Sequence, residues 1–151
     1  MKIRKCNIIY EDNNIDIEAK PVSLYPGKID KKSLSYLYNL VKRIVDINSV
    51  TEFLLVIVLD DNNTPTAYTV MGFSDEEAVS FSISAILRFV LLSGYTDFIL
   101  IHNHNNGYKS FSTEDRKSAR DTKKAAKIIG LNLVNEFIVV DNIIIPLWRK
   151  K

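Results

Sequence analysis

Cysteine is nearly absent from this chain: Cys6 is the only one in 151 residues. No intrachain disulfide can form, and one sulfur cannot build a thiolate metal cluster. This usage fits a reducing compartment, and a cytoplasmic location is expected. A charge excess is missing too. Twenty Lys and Arg face eighteen Asp and Glu, and the net charge of +2 names no partner. No apolar run approaches the roughly 20 residues that a membrane span needs, so no membrane partner is expected. The opening MKIRKCNIIYEDNN soon turns charged, unlike a signal peptide. Internal repeats and low-complexity tracts are absent. Histidine is scarce as well: His102 and His104 are the only two.

What remains is an ordinary globular composition, 46% apolar and 25% charged, at a length that suits one domain. A domain of this size buries roughly 68–70% of its unfolded surface and needs no covalent staple. CNIIY and IDIEA read as two short strands around the turn-prone EDNN. Pro26-Gly27 marks a turn, and Asp30 is placed to cap a helix running to about Ile47. In that helix Leu34, Leu37, Tyr38, Val41, Ile44 and Val45 form one apolar stripe. EFLLVIVLD, residues 52–60, is continuously apolar and reads as a central strand, with TAYTVMG as its hairpin partner across DDNNTP. Ser74 is placed to cap a second helix that runs to Leu92, with Asp75, Glu76 and Glu77 favouring its positive end. Arg88 is the only charge beyond that first turn, so cover on several sides is expected. DFILIH is a further strand, and a helix spans about Thr113 to Ile129, closed by Gly130. LVNEFIVV and NIIIPLW form a last hairpin, turning at Asp141-Asn142, with Pro146 marking an edge strand.

Residues 98–115, FILIHNHNNGYKSFSTED, concentrate the chemistry. Residues two apart in a strand point to one side, so His102 and His104 present two imidazoles to one point if the strand persists to 104. Neutral imidazole is a good zinc ligand. Stepping 100° per residue along the next helix puts Asp115 in line with Ala119, Thr122, Ala126 and Ile129, at the start of an inward stripe. An inward carboxylate is costly unless it is paired or binds a metal. Ser112-x-x-Asp115 also resembles a capping box with Asp in place of Glu, which would simply start the helix. The two roles are compatible, since one oxygen can cap while the other ligates.

His102-Asn103-His104, Gly107, Ser112 and Asp115 together resemble the H-N-H-P-S-G-(x4)-S-x-x-D signature of RadC-like proteins, which belong to the JAB/JAMM (MPN-type) metalloprotein superfamily. The resemblance covers roughly residues 52 to 148. It includes I-I-G-L at the end of the helix, and LVNEFIVVDN where the family has a strand of the type L-x-D-H-I-I-I-G-D. It implies an α/β fold: a single JAB/MPN-like domain of the cytidine-deaminase-like layered kind, its mixed sheet flanked by about three helices. Residues 51–151 would form the core, and residues 1–50 would add strands and a helix to the same domain. It further implies one Zn2+ ion held by His102, His104 and Asp115. Ser112 would be the catalytic oxyanion group, in hydrolysis of a peptide or isopeptide bond by metal-activated water.

Departures from the pattern bear on activity. Asn105-Asn106 replaces Pro-Ser, which is expected to loosen the loop. Ser82-Ile83-Ser84-Ala85 replaces the family's H-P-R-E. The strand expected to carry a general-base glutamate, Thr66 to Gly72, holds no acid, and Glu76 or Glu77 would substitute only through a local shift. The helix-hairpin-helix region of longer RadC proteins is not present, so a nearly isolated JAB domain is expected. On the outer face of the last helix, Arg116, Arg120, Lys123, Lys124 and Lys127 fall within an arc of about 120°. With Arg149-Lys150-Lys151 they could follow the phosphates of a nucleic acid, or form a solvated face. No aromatic residues interleave with them to stack bases. Two function classes follow: a zinc-dependent hydrolase acting on a protein or peptide, or a JAB scaffold that binds protein or nucleic acid in DNA repair or mobile-element biology. Homo-oligomers are compatible with either.

Overall fold

The longest apolar segments become the middle of a mixed sheet. A computed structural model describes residues 2–11, 14–23, 34–71 and 82–149. The strands are β1 (Lys2–Glu11), β2 (Asn14–Ser23), β3 (Leu54–Leu59), β4 (Pro65–Met71), β5 (Asp97–Asn103), β6 (Asn132–Val140) and β7 (Ile143–Pro146). They lie in the order β2-β1-β4-β3-β5-β6-β7. The helices are α1 (Leu34–Ile44), α2 (Ile83–Ser93) and α3 (Thr113–Ile128). The expected α/β architecture, a mixed sheet flanked by three helices, is therefore present.

The sheet separates two cores because successive strand residues face opposite ways. Leu55, Ile57, Ile99, Ile101, Phe137 and Val139 face α1, which contributes Tyr36, Leu37, Leu40 and Val41. Leu54, Val56, Val58, Phe98, Leu100 and Leu133 face the other way, where α2 contributes Ile86, Leu87, Phe89 and Val90 and α3 contributes Ala126. β3 and β5 are antiparallel neighbours, both buried almost throughout, as their unbroken apolar runs require.

Local chemistry closes the ends. Asp141 and Asn142 adopt φ of 47° and 62°, the left-handed pair of a tight hairpin turn. β7 is an edge strand, consistent with Pro146 at its end. Gly94, at φ 81°, terminates α2 by donating its N–H to the Leu91 carbonyl.

Several expectations are corrected. Of the stripe expected along α1, Leu37, Tyr38, Val41, Ile44 and Val45 do meet the core, but Tyr36 and Leu40 also turn inward and Leu34 is left 43% exposed. The described part of α2 starts at Ile83 behind Ser82, whose side chain makes no capping bond. Leu91 and Leu92 are about half exposed, so α2 is covered on one face only. Ile129 likewise leaves the inward stripe of α3, because the helix has ended and the chain is turning at Gly130. Pro26-Gly27, Asp30, Ser74, Asp75, Glu76, Glu77, Lys150 and Lys151 lie outside the described residues. No helix among the described residues is long and apolar enough to cross a membrane.

Phe89 is fully buried between α2 and the sheet. Phe89→Ala is expected to lower unfolding free energy by about 3–5 kcal/mol through lost transfer energy and the cavity left behind. A shift of the urea midpoint with an unchanged slope measures it.

Candidate metal centre

β5 delivers His102 and Asn103, and one further ladder bond delivers His104. The His104 N–H donates to the Val139 carbonyl at 3.0 Å, so extended pairing with β6 continues one residue past the strand. Both imidazoles therefore fall on the α2/α3 side of the sheet. Their Nε2 atoms are 3.1 Å apart. Asn103 points to the other side and is 1% exposed. It accepts from the Phe53 N–H at 2.8 Å and donates to the Ser49 and Thr51 carbonyls. The residue between the histidines thus pins the segment that leads into β3.

α3 supplies the carboxylate. Ser112 caps the helix, its hydroxyl accepting from the Asp115 N–H at 3.0 Å, while Asp115 Oδ2 accepts from the Ser112 N–H at 2.8 Å. The capping box is complete. The same carboxylate reaches the histidines: Oδ1 is 3.6 Å from His102 Nε2, and Oδ2 is 3.4 Å from His104 Nε2. Burial alone would raise the Asp115 pKa. Hydrogen bonds from Ser112 and the nearby imidazoles outweigh that and hold it below the usual carboxylate range.

Proton placement at the imidazoles follows from their outer partners. His104 Nδ1 is 2.9 Å from the Tyr108 carbonyl oxygen, which can only accept, so Nδ1 carries the proton. His102 Nδ1 is 3.2 Å from Glu136 Oε1, and a carboxylate there asks for the same tautomer. Both Nε2 atoms then direct bare lone pairs at each other and at a carboxylate. Such a convergence of acceptors is repulsive unless an extra proton or a cation lies among them.

A tetrahedral zinc with arms of about 2.0–2.1 Å sets its ligand atoms about 3.3–3.4 Å apart. The two imidazole nitrogens are 3.1 Å apart, close to that edge, and each has a different Asp115 oxygen at a similar distance, Oδ1 3.6 Å from His102 and Oδ2 3.4 Å from His104. One donor atom from each of His102, His104 and Asp115 lies within 4.8 Å of the others. The donor set, two nitrogens and an oxygen in a half-buried cluster, fits a divalent cation of zinc type.

The loop between His104 and α3 is not loosened by Asn105-Asn106. Asn105 Nδ2 donates to the Val50 carbonyl, and Asn106 Oδ1 accepts from the Tyr108 N–H. Gly107 takes φ 77°, where a side chain would be strained. Phe111 turns inward with its ring edge-on to His102, and the Arg116 guanidinium lies over its face. The basic face of α3 is partly engaged: Lys123 sits 4.1 Å above the Trp148 ring, and Lys117 pairs with Asp121.

Sequence reading missed two roles here, the anchoring by Asn103 and the contact of Glu136 with His102. Each left a signal: a polar side chain on the inward parity of β5, and a lone acid in the apolar LVNEFIVV. The acid expected from β4 is absent from Pro65–Met71. Among the described residues, the carboxylates that approach the histidines are Asp115 and Glu136.

Comparisons with known proteins show the family of the chain. The model of the RadC-like JAB domain matches residues 31–150. A UPF0758 protein of Coprothermobacter proteolyticus is 30% identical over 105 residues, which is 70% of this chain and 45% of that relative. The match thus spans less than half the relative's length.

Two outcomes follow for the helix start. Ser112→Ala is expected to cost about 1 kcal/mol, read as a lowered Tm. Because Asp115 has a lower pKa folded than unfolded, its contribution is complete above the unfolded value of about 3.9 and is lost as pH falls through the folded value. Thermal melts across the acid range should therefore fall less steeply with pH in Asp115→Asn than in the parent.

Proposed function

The chain belongs to the family of RadC-like JAB domains, and from that premise we propose that it is a zinc-dependent hydrolase acting on a peptide or isopeptide bond. The observation that carries the reading is the meeting of His102 Nε2, His104 Nε2 and the Asp115 carboxylate, with both Nδ1 atoms already engaged by acceptors. His102, His104 and Asp115 would hold the ion. When bound, zinc supplies Lewis acidity and makes water acidic enough to act as a nucleophile near neutral pH.

The chain's own groups do the rest. Ser112 spends one acceptor lone pair on the Asp115 N–H, and its O–H proton remains available to donate. A donor beside the ligand carboxylate suits a developing oxyanion. The Asp115 rotamer is fixed by the Ser112 N–H before any ligand arrives. Phe111 excludes water from one side of His102.

A second reading is favoured by one observation: β4 carries no carboxylate. A positioned general base is worth roughly 10²–10⁴-fold in rate, and metal-activated water alone would be slow. In this reading the domain is a scaffold that binds protein or nucleic acid, and zinc stabilises it. The exposed Arg120, Lys124 and Lys127 on α3 would serve a phosphate backbone.

Metal analysis and zinc titration of the chelator-stripped protein test the common premise. One equivalent is expected, and His102→Ala should remove it; a parent protein that takes up no zinc would overturn the reading. Turnover of a peptide and isopeptide panel by the zinc-loaded protein separates the two: hydrolysis supports the first, and complete inactivity with zinc bound supports the scaffold.

A further inference from the structure

Resting on the metal reading above, we propose that Glu136 is the positioning residue of His102. Its buried carboxylate holds the Nδ1 proton and so keeps Nε2 bare and aimed at the point shared with His104 and Asp115.

Glu136 is 5% exposed and the only acid of its strand, and its Oε1 is 3.2 Å from His102 Nδ1. A carboxylate so buried needs a partner. It is on the correct side of the sheet only because of an irregularity in β6. Phe98 pairs with Leu133, but Ile99 pairs with Asn135 and Leu100 with Glu136, so one extra residue, Val134, is inserted. Strict alternation from Leu133, which faces α2 and α3, would turn Glu136 toward α1 and Phe137 toward the histidines. The bulge reverses that parity. Phe137 and Val139 join the core beneath α1, and Glu136 shares the face of Leu100 and His102.

Bulges in parallel pairs are rare, and this one is tied down. Asn135 Oδ1 accepts from the N–H groups of Glu136 and Trp148, and Asn135 Nδ2 donates to the Trp148 carbonyl. The Leu147 N–H closes on the Glu136 carbonyl at 2.8 Å. The backbone of Glu136 is thus held from the sheet edge while its side chain holds His102. Histidine ligands usually donate their second N–H to such an acceptor, and loss of that partner typically weakens metal binding by about 10–100-fold.

The test uses two readouts. In the metal-free protein at mildly alkaline pH, long-range ¹H–¹⁵N spectra of the two histidines report which ring nitrogen carries the proton. The parent should show Nδ1–H at His102. Glu136→Gln should keep it, since the amide oxygen still accepts. Glu136→Leu should shift His102 toward Nε2–H and lower zinc affinity about 10–100-fold, with Glu136→Gln much closer to the parent. An Nε2–H tautomer in the parent would overturn the proposal, even if Glu136→Leu cannot be folded. So would a folded Glu136→Leu whose tautomer and zinc affinity are unchanged. A parent with Nδ1–H that is lost in Glu136→Leu, but with no zinc uptake, upholds the orienting contact and defeats the metal reading alone.

Discussion

Much of the site depends on a single ladder bond, from the His104 N–H to the Val139 carbonyl. It extends β5 by one residue beyond its last full pair. With it, residues 102 and 104 share a face and residue 103 takes the other. Without it, the second imidazole would leave with the loop. β5 lies between β3 and β6, where twisting and slippage are constrained on both sides. The positions of the two histidines are therefore set by the sheet, and the loop to α3 has only to return a carboxylate to them.

The sheet also acts as a partition. On the α1 side, Asn103 satisfies three backbone groups of the segment before β3. On the other side, the imidazoles meet Asp115, Glu136 and Phe111. The tripeptide His102-Asn103-His104 thus serves two layers at once. Burial makes each of these polar contacts costly to leave unmade, and no buried side-chain nitrogen or oxygen among the described residues lacks a partner.

Sequence reading succeeded where the signal is local. Unbroken apolar runs marked β3 and β5, and the Asp141-Asn142 pair marked the last hairpin. The spacing of His102, His104, Ser112 and Asp115 marked the strand end and the capped helix start. It failed where position depends on counting across strands. Glu136 reads by simple alternation as facing α1, and only the pairing with β5 exposes the extra residue that turns it over. Asn103 was legible as a member of the motif but not as an anchor, because its partners lie about fifty residues earlier. The replacement of Pro-Ser by Asn105-Asn106 was misread for a related reason. Proline stiffens a loop through its own ring, whereas asparagine does so through a partner that composition does not reveal.

The capping box at Ser112 and Asp115 carries a thermodynamic consequence. One carboxylate both starts α3 and faces the histidines, so the first turn of that helix and an ion held there would require the same conformer. Fraying of that turn would remove the conformer, and the apparent affinity for such an ion would scale with the fraction of molecules in which the turn is intact. Linkage then runs both ways: an ion that selects the intact turn shifts the helix–coil balance at residues 112–115 in its favour. Whatever docks against the start of α3 would in this way reset the site's affinity without touching a ligand atom.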